Sequence, residues 1–500
     1  MGLRLAIGAN RARLLRQLLT ESALLALAGG VSAVFVGYWI SRLLLEFTSH
    51  NSRLPLEPHI TATALMFTAA VSAGAILIFG LAPALFATKG DVASHLKETK
   101  TGRTKGSAQR FEKALVAVQI VLSVVLLYGS GLFIRTLQNL EKSDVGYRRE
   151  NLLIAEMNPW TSGYKGAQIV PLAKNLNAAL NSTPGVTSVT FSENGIFSGT
   201  ESGTENAVEG FTPRTSEDTQ SASDKIGPKY FSTIGVPILA GREIGEQDTA
   251  TSIPVAVVNQ AFANFYFPNR TAVGRHVSDP DGKNPMAIIG VVGTAKENSL
   301  REPAKRRIYI PYLQSRADDA PDGLRFEIRT QANQAAIETS LRQAIHKVDA
   351  SLREPSIKWS EALIQEDLEQ ETLIAKLSSF FSALALILAS VGLYGVMSYL
   401  TSRRTTEVGV RMALGASRSS VMALVFRDAF GMTAIGLLTG GVCAFAVGRL
   451  TANSLYGVAA FDPLTIAATS AIIAVAAGVA VWVPAQRASR VDPMVALRAE

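Results

Sequence analysis

Thr405-Thr406-Glu407-Val408-Gly409-Val410-Arg411-Met412-Ala413-Leu414-Gly415-Ala416-Ser417-Arg418-Ser419-Ser420-Val421 decides the fold of this chain, because it lies between two long apolar runs, Leu373–Leu400 and Val421–Leu450. Arg403, Glu407 and Arg411 stand at i, i+4 and i+8, so on a helix they form a ladder of alternating charge. Gly415 then ends that helix, and the Ser417 hydroxyl is placed to cap the next one. The stretch therefore reads as a short charged helix on a membrane surface, joining two spans and offering a soluble partner a place to dock. A basic connection between spans carries no such meaning when it is isolated.

This one is not isolated. Leu3-Arg4-Leu5-Ala6-Ile7-Gly8-Ala9-Asn10-Arg11 matches Val410–Arg418 without a gap, and Glu21 falls on Asp428 in the same frame. Asn10 takes the place of Ser417, and both are good N-caps. Further on, Pro83-Ala84 through Asp91 match Pro484-Ala485 through Asp492, and Leu96-Lys97 match Leu497-Arg498. An internal repeat of this kind governs the reading of everything around it.

The composition fits a chain partly in lipid: 48% of the 500 residues are hydrophobic and the mean hydropathy is +0.21. Six apolar runs are long enough to span about 30 Å of hydrocarbon. They are Leu18–Leu45, Thr61–Ala87, Ala114–Leu137, Ile374–Leu400, Val421–Leu450 and Pro463–Val483. The first is too long for the apolar region of a signal peptide and lacks a clean cleavage site, so it reads as a retained span. Segments 1–16, 87–113, 402–420 and 485–500 together carry 18 Lys and Arg, whereas the opposite short loops, 46–60 and 451–462, carry only Arg53. The positive-inside rule makes the four basic segments cytoplasmic and places 139–372 outside. That region has 24 basic and 30 acidic residues, so the overall charge of +7 belongs to the membrane flanks and does not signal nucleic-acid binding.

Region 139–372 is expected to be an α+β domain of two small subdomains, stable without disulfides, since the sole cysteine, Cys443, lies in a span. Leu152–Met157, a helix Ile169–Leu180 and Val186–Phe191 read as β-α-β. Leu324–Arg329, a helix Gln334–Val348 and Pro355–Trp359 repeat the pattern at the other end. Ile253–Val258, Ala287–Val292 and Arg307–Pro311 read as strands between them, with a short helix Gln260–Phe267. Gly195–Asp224, polar and rich in small residues, is expected to be a mobile loop region. The acidic stretch Glu361–Gln370 reads as a helix running into the Ile374 span.

Chemistry of other kinds has no candidates. No Gly-x-x-x-x-Gly-Lys-Ser/Thr loop is present, so the chain has no phosphate loop of its own for ATP. The five histidines are scattered without ligand spacing, which argues against a metal site. Asp279-Pro280-Asp281-Gly282 reads as a turn, and no nucleophile elbow is found. Arg427, Asp428, Glu21 and Arg449 lie near span ends, where snorkelling accounts for them without an ion pathway.

The stretch Arg403 to Ala416 resembles the cytoplasmic loop of FtsX-like, MacB-like ABC transporter permeases. Lys229-Tyr230-Phe231-Ser232-Thr233-Ile234-Gly235-Val236-Pro237-Ile238-Leu239-Ala240-Gly241-Arg242 and Val255–Ala263 resemble their periplasmic core domain, and Pro484–Arg498 resembles the family's ending. On that resemblance the chain is an α-helical inner-membrane protein with six spans and a MacB-like periplasmic core of two α+β subdomains. Its divisions are 1–98, the last two spans of a first permease unit; 99–113, a linker; 114–138, the opening span of a second unit; 139–372, the periplasmic core; and 373–500, three further spans. It resembles the duplicated permeases abundant in acidobacteria, shortened at the N-terminus. The resemblance implies a separate ATPase subunit that carries the ATP, no cofactor in this chain, and permease pairing as a dimer or as a pseudo-dimer of duplicated units. It implies mechanotransmission, in which the ATPase moves the cytoplasmic loops and the spans pass the motion outward. The coupling residues it implies are Arg403, Arg404, Glu407, Gly409, Arg411, Ala413, Gly415 and Ala416, with Arg4, Gly8, Ala9 and Arg11 in the first repeat. The other reading is a membrane signalling or scaffold protein, such as an activator of cell-wall hydrolases.

Overall fold

The computed structural model describes residues 11–48, 61–77, 105–303, 305–315, 321, 323–332 and 334–490, which fall into two compact units. One unit is built of helices from the two ends of the chain, up to Gln138 and from Glu369 onward. The other is Asn139–Leu368.

In the helical unit α1 (Arg11–Thr48) and α2 (Ala62–Ile76) form a hairpin. The helix α3 (Lys105–Glu141) enters a bundle with α9 (Glu369–Arg403), α11 (Arg418–Leu450) and α12 (Pro463–Ala488), and the short α10 (Thr405–Ala413) lies between α9 and α11. Five helices among the described residues are long and apolar enough to cross a membrane. The remaining expected span, Thr61–Ala87, is described only to Leu77, as the 15-residue helix α2.

The bundle is seamed by α3, whose Val116, Ile120, Val124, Tyr128 and Leu132 recur at every fourth position and are all buried. Small residues on α11 let this seam come close. A Cβ on Gly440 would stand 2.8 Å from Val124 Cβ, and one on Gly436 2.8 Å from Ile120 Cβ. Lipid offers no hydrophobic drive for helix association, so such close packing and interhelical hydrogen bonds hold the bundle. Ser382 Oγ donates to the Leu126 carbonyl at 2.7 Å, and Ser123 Oγ to the Ala385 carbonyl at 3.0 Å. At the far end of α3, the Tyr128 hydroxyl donates to Ala460 O at 2.7 Å, while Arg135 pairs with Asp462, which caps α12.

In the α+β unit, β1 (Leu152–Met157), β2 (Val186–Ser192), β11 (Leu324–Thr330) and β12 (Ser356–Trp359) pair antiparallel in the order β12-β1-β11-β2. Against them pack α4 (Ile169–Asn181) and α7 (Gln334–Val348), closing a core that includes Leu176, Phe191, Phe326, Ile328 and Leu341. The second lobe continues the same sheet through β5 (Gln220–Ile226), β10 (Arg307–Pro311), β7 (Val255–Asn259), β9 (Met286–Val292), β8 (His276–Ser278) and β4 (Ala207–Val208). Its own core gathers Val258, Phe262, Tyr266, Val277 and Ile288 around α6 (Gln260–Tyr266). Lys229–Arg242 holds α5 (Tyr230–Ile234) and the edge strand β6 (Ile238–Gly241). The lobes join by one residue pair in the ladder, Ser192 with Ile226. The two expected subdomains are thus two lobes with separate cores on one sheet.

Two expectations change. Gly195–Asp224 is not a mobile loop: it supplies β3 (Ser202–Glu205), β4 and most of β5, a strand at the centre of the unit. Gln-Ser-Ala-Ser-Asp-Lys-Ile shows no apolar alternation, yet β3 on one side and β10 on the other take up its backbone groups. The acidic stretch does not run unbroken into the next span, because α8 (Ser360–Asp367) ends at the buried Leu368, whose φ of −95° and ψ of 5° leave the helix.

The lobe junction buries charge. Asp224 accepts the Asn194 backbone N–H at 3.0 Å, and Glu327 accepts Ser192 Oγ at 2.6 Å, both fully inside. Asp224 Oδ2 and Glu327 Oε2 have no hydrogen-bond partner among the described residues. Burial pushes the Asp224 carboxyl up to about 7, with the nearby Glu297 adding to it, and burial likewise raises Glu327 well above the usual carboxylate range. Residues 139–372 expressed alone are expected to be a soluble monomer with a cooperative thermal transition. An insoluble product, or melting without cooperativity, would rule out that boundary.

Candidate functional site

The charged stretch folds as a helix and a turn, but its three charges do not share one helix. Arg403 is the last residue of α9. Arg404 leaves the helix at φ −97° and ψ 14°, and Glu407 and Arg411 lie on α10. The expected ladder is therefore broken. Glu407 pairs with Arg411 at 2.7 Å, while the Arg403 guanidinium sits 5.0 Å over the Tyr399 ring. Arg404 turns back to bond Asp428 on α11 at 2.8 Å, tying the break in the chain to the following span. Asp428 thus has a partner from the loop, which accounts for a carboxylate inside an apolar run.

At the end of α10 the chain makes a Schellman turn. The Ala416 N–H donates to Arg411 O at 2.9 Å and the Gly415 N–H to Met412 O at 3.1 Å. Gly415 has φ +95°, a conformation that a side chain would strain. Ser417 Oγ then accepts the Ser420 N–H at 3.3 Å and starts α11.

This geometry gives α10 two faces. Val408 and Gly409 are buried and Met412 is half-buried, and Val408 and Met412 pack on the bundle core. Glu407, Val410, Arg411, Ala413, Leu414 and Gly415 are exposed, and Ala416 is half-buried. Leu414, at the tip, is 83% exposed. Sequence reasoning misses it, since there it reads as one more apolar residue. Only the turn at Gly415 shows that it points outward. In the first repeat Arg4, Gly8 and Ala9 lie outside the described residues, and Arg11 is the first residue of α1. Among the described residues no group of histidine, cysteine and carboxylate side chains is arranged to hold a metal.

These features define a polytopic membrane protein that carries an α+β unit between the long apolar helices α3 and α9 and turns back through a short charged helix. The family models for an FtsX-like permease C-terminal region match residues 1–92 and again 379–493, and that for a MacB-like periplasmic core domain matches 114–344. The chain belongs to the FtsX-like, MacB-like permeases. It is 24% identical over 274 residues to a pyoverdine export ATP-binding/permease protein of Pseudomonas savastanoi, covering 53% of this chain and 40% of that protein. It is 26% identical over 284 residues to a macrolide export ATP-binding/permease protein of Mannheimia succiniciproducens, covering 55% and 43%. The chain thus spans less than half the length of these curated relatives. The crystal structure of the periplasmic region of MacB from Actinobacillus actinomycetemcomitans aligns with 46% of this chain and 97% of its own length, at 20% identity and a TM-score of 0.32.

Proposed function

We propose that this chain is the permease subunit of an ABC exporter working by mechanotransmission, with ATP bound and hydrolysed on a separate ATPase subunit. The observation that carries the reading is α10, with one face packed into the bundle and the other, from Glu407 to Leu414, exposed beside it. A partner that docks there and moves acts on α11 through the Arg404–Asp428 pair and on the bundle core through Val408. The permease needs no cofactor of its own in this scheme. It stands in the inner membrane with 139–372 in the periplasm, and pairs with a second permease unit. The relatives named for export of pyoverdine and macrolides support efflux as the outcome.

Glu407 is the side chain that an arginine on an ATPase surface would meet. Its bond to Arg411 is exposed at both ends, and such i, i+4 pairs contribute only about 0.3–0.5 kcal/mol. Glu407→Lys should leave the amount of permease in the membrane unchanged and abolish recovery of the ATPase in detergent pull-downs. If ATPase recovery and its stimulated turnover survive, the docking assignment is wrong, and the signalling or scaffold reading takes its place.

A further inference from the structure

The hairpin α1–α2 and the pair α11–α12 are two copies of one repeat, and the structure shows what each copy does with the same groove. In the frame that pairs Glu21 with Asp428, the positions Gly29, Ala33 and Gly37 coincide with Gly436, Gly440 and Ala444. In the frame that pairs Pro83 with Pro484, Leu65, Thr68 and Ala69 coincide with Ile466, Thr469 and Ser470.

In the second copy α3 fills the groove. Ile120 and Val124 press on Gly436 and Gly440, and Ala444 is 4% exposed. What remains is a cavity of about 70 Å³ in which Val124 and Tyr128 face Gly441, Phe445, Ile466 and Thr469. In the first copy the counterpart positions Val34, Tyr38, Leu65 and Thr68 line an open groove of about 780 Å³. Nothing among the described residues lies within 4 Å of where a Cβ on Gly29 or Gly37 would stand, and Ala33 is exposed. Small residues in a membrane helix permit the close approach of another backbone, and the second copy shows a helix making that approach.

We infer that the α1–α2 groove is the seat of one more transmembrane helix, supplied by a partner chain and placed as α3 is on α11 and α12. Its chemistry follows from the filled copy: an apolar helix presenting branched and aromatic side chains at every fourth position, as Ile120, Val124 and Tyr128 do. The α3 helix of a second copy of this chain cannot supply it, because those three side chains already occupy its own α11–α12 groove. Lipid tails have no fixed shape with which to match the stripe, and an ill-fitting surface forfeits the dispersion attraction that a close-fitting helix gains. This inference stands on the repeat and is independent of where the ATPase docks.

The test uses the full chain with Cys443→Ala, which removes its only cysteine, and Ala33→Cys. The probe is a separately expressed segment, residues 105–141 of this chain, carrying Val124→Cys. Oxidation in the membrane should cross-link the two, several-fold more than when the chain carries Leu24→Cys instead, a position 69% exposed on the opposite face of α1, whose counterpart Gly431 is exposed in the filled copy. Gly29→Leu, added to the Ala33→Cys chain, should remove the cross-link by taking the space that Ile120 of the probe needs, as Ile120 occupies it at Gly436 in the filled copy. Equal cross-linking at positions 33 and 24 would overturn the inference in favour of random collision in lipid. Cross-linking of Ala33→Cys chains to one another without the probe would overturn it in favour of a second copy covering the groove. Neither result would affect the Glu407→Lys experiment.

Discussion

The melting temperature of the α+β unit is expected to fall as the pH rises from about 5 to about 8, the reverse of what paired surface carboxylates produce. The cause is Asp224, fully buried at the lobe junction, whose carboxyl is pushed up from 3.8 to about 7. A group whose folded pKa is raised binds its proton more tightly in the native state. Its contribution is fully present below the unfolded value and is lost as the pH rises through the folded one, so the window runs from about 4 to about 7. At 1.36 kcal/mol per pH unit, the part of that window above pH 5, roughly two units, is worth up to about 3 kcal/mol, and roughly 2–4 °C per kcal/mol for a domain of this size gives a fall on the order of 10 °C. Glu327, raised by its burial, adds in the same direction. On the acid side the sign reverses. Glu209, held down to about 2 by hydrogen bonds from His276 and Arg275, loses its contribution as the pH falls below the ordinary carboxylate range. Stability should therefore peak at weakly acid pH. Asp224→Asn keeps the acceptor for the Asn194 N–H and removes the titrating proton, so it should flatten the slope between pH 5 and 8. A wild-type unit whose melting temperature rises across that range would show that the junction carboxyls are ionised in the fold.

The parts of this architecture that could be read from sequence are those where one face of an element meets apolar material. Helix α4 and strands β1, β2 and β11 show alternation or helical spacing because their buried sides are Leu, Ile, Val and Phe. Strand β5 does not, since apart from Ile226 its buried residues are Ser221, Ala222, Ser223 and Asp224, the last two bonded by Asn194 from far back along the chain. Hydrophobic pattern carries no information about such a strand. The same division holds at the site. The repeat, the Gly415 stop and the Ser417 cap are local chemistry and were legible. That Arg403 belongs to another helix than Glu407 depends on Arg404 reaching Asp428, 24 residues away, and no spacing rule contains that. The open groove on α1 and α2 was likewise invisible, because its small residues look the same whether or not a helix lies on them.

Leu414→Asp, at the C-cap of α10, is expected to weaken ATPase binding strongly while leaving the fold intact. The side chain is 83% exposed at the tip of the turn and flanked by Arg411 and Arg418. An apolar knob beside charged neighbours has the composition of an interface anchor: desolvated in the complex, it adds binding energy while the rim charges orient the partner. Loss of such an anchor costs about 2 kcal/mol or more, a fall in affinity of roughly 30-fold. The fold should hardly change, since exposed substitutions stay within about 0.5 kcal/mol. Val408→Asp is the contrast: Val408 is 5% exposed on the inner face, and an unpaired carboxylate there should lower the yield of folded permease itself. A rival account places Leu414 in the lipid interface, holding α10 against the membrane. Leu414→Trp separates the two, because tryptophan is favoured at a membrane interface but overfills a pocket shaped for leucine. If the protein pocket is right, Leu414→Trp weakens ATPase recovery along with Leu414→Asp. If recovery is restored by tryptophan and lost only with aspartate, Leu414 is a membrane anchor, and the docking surface reduces to Glu407 and its neighbours on α10.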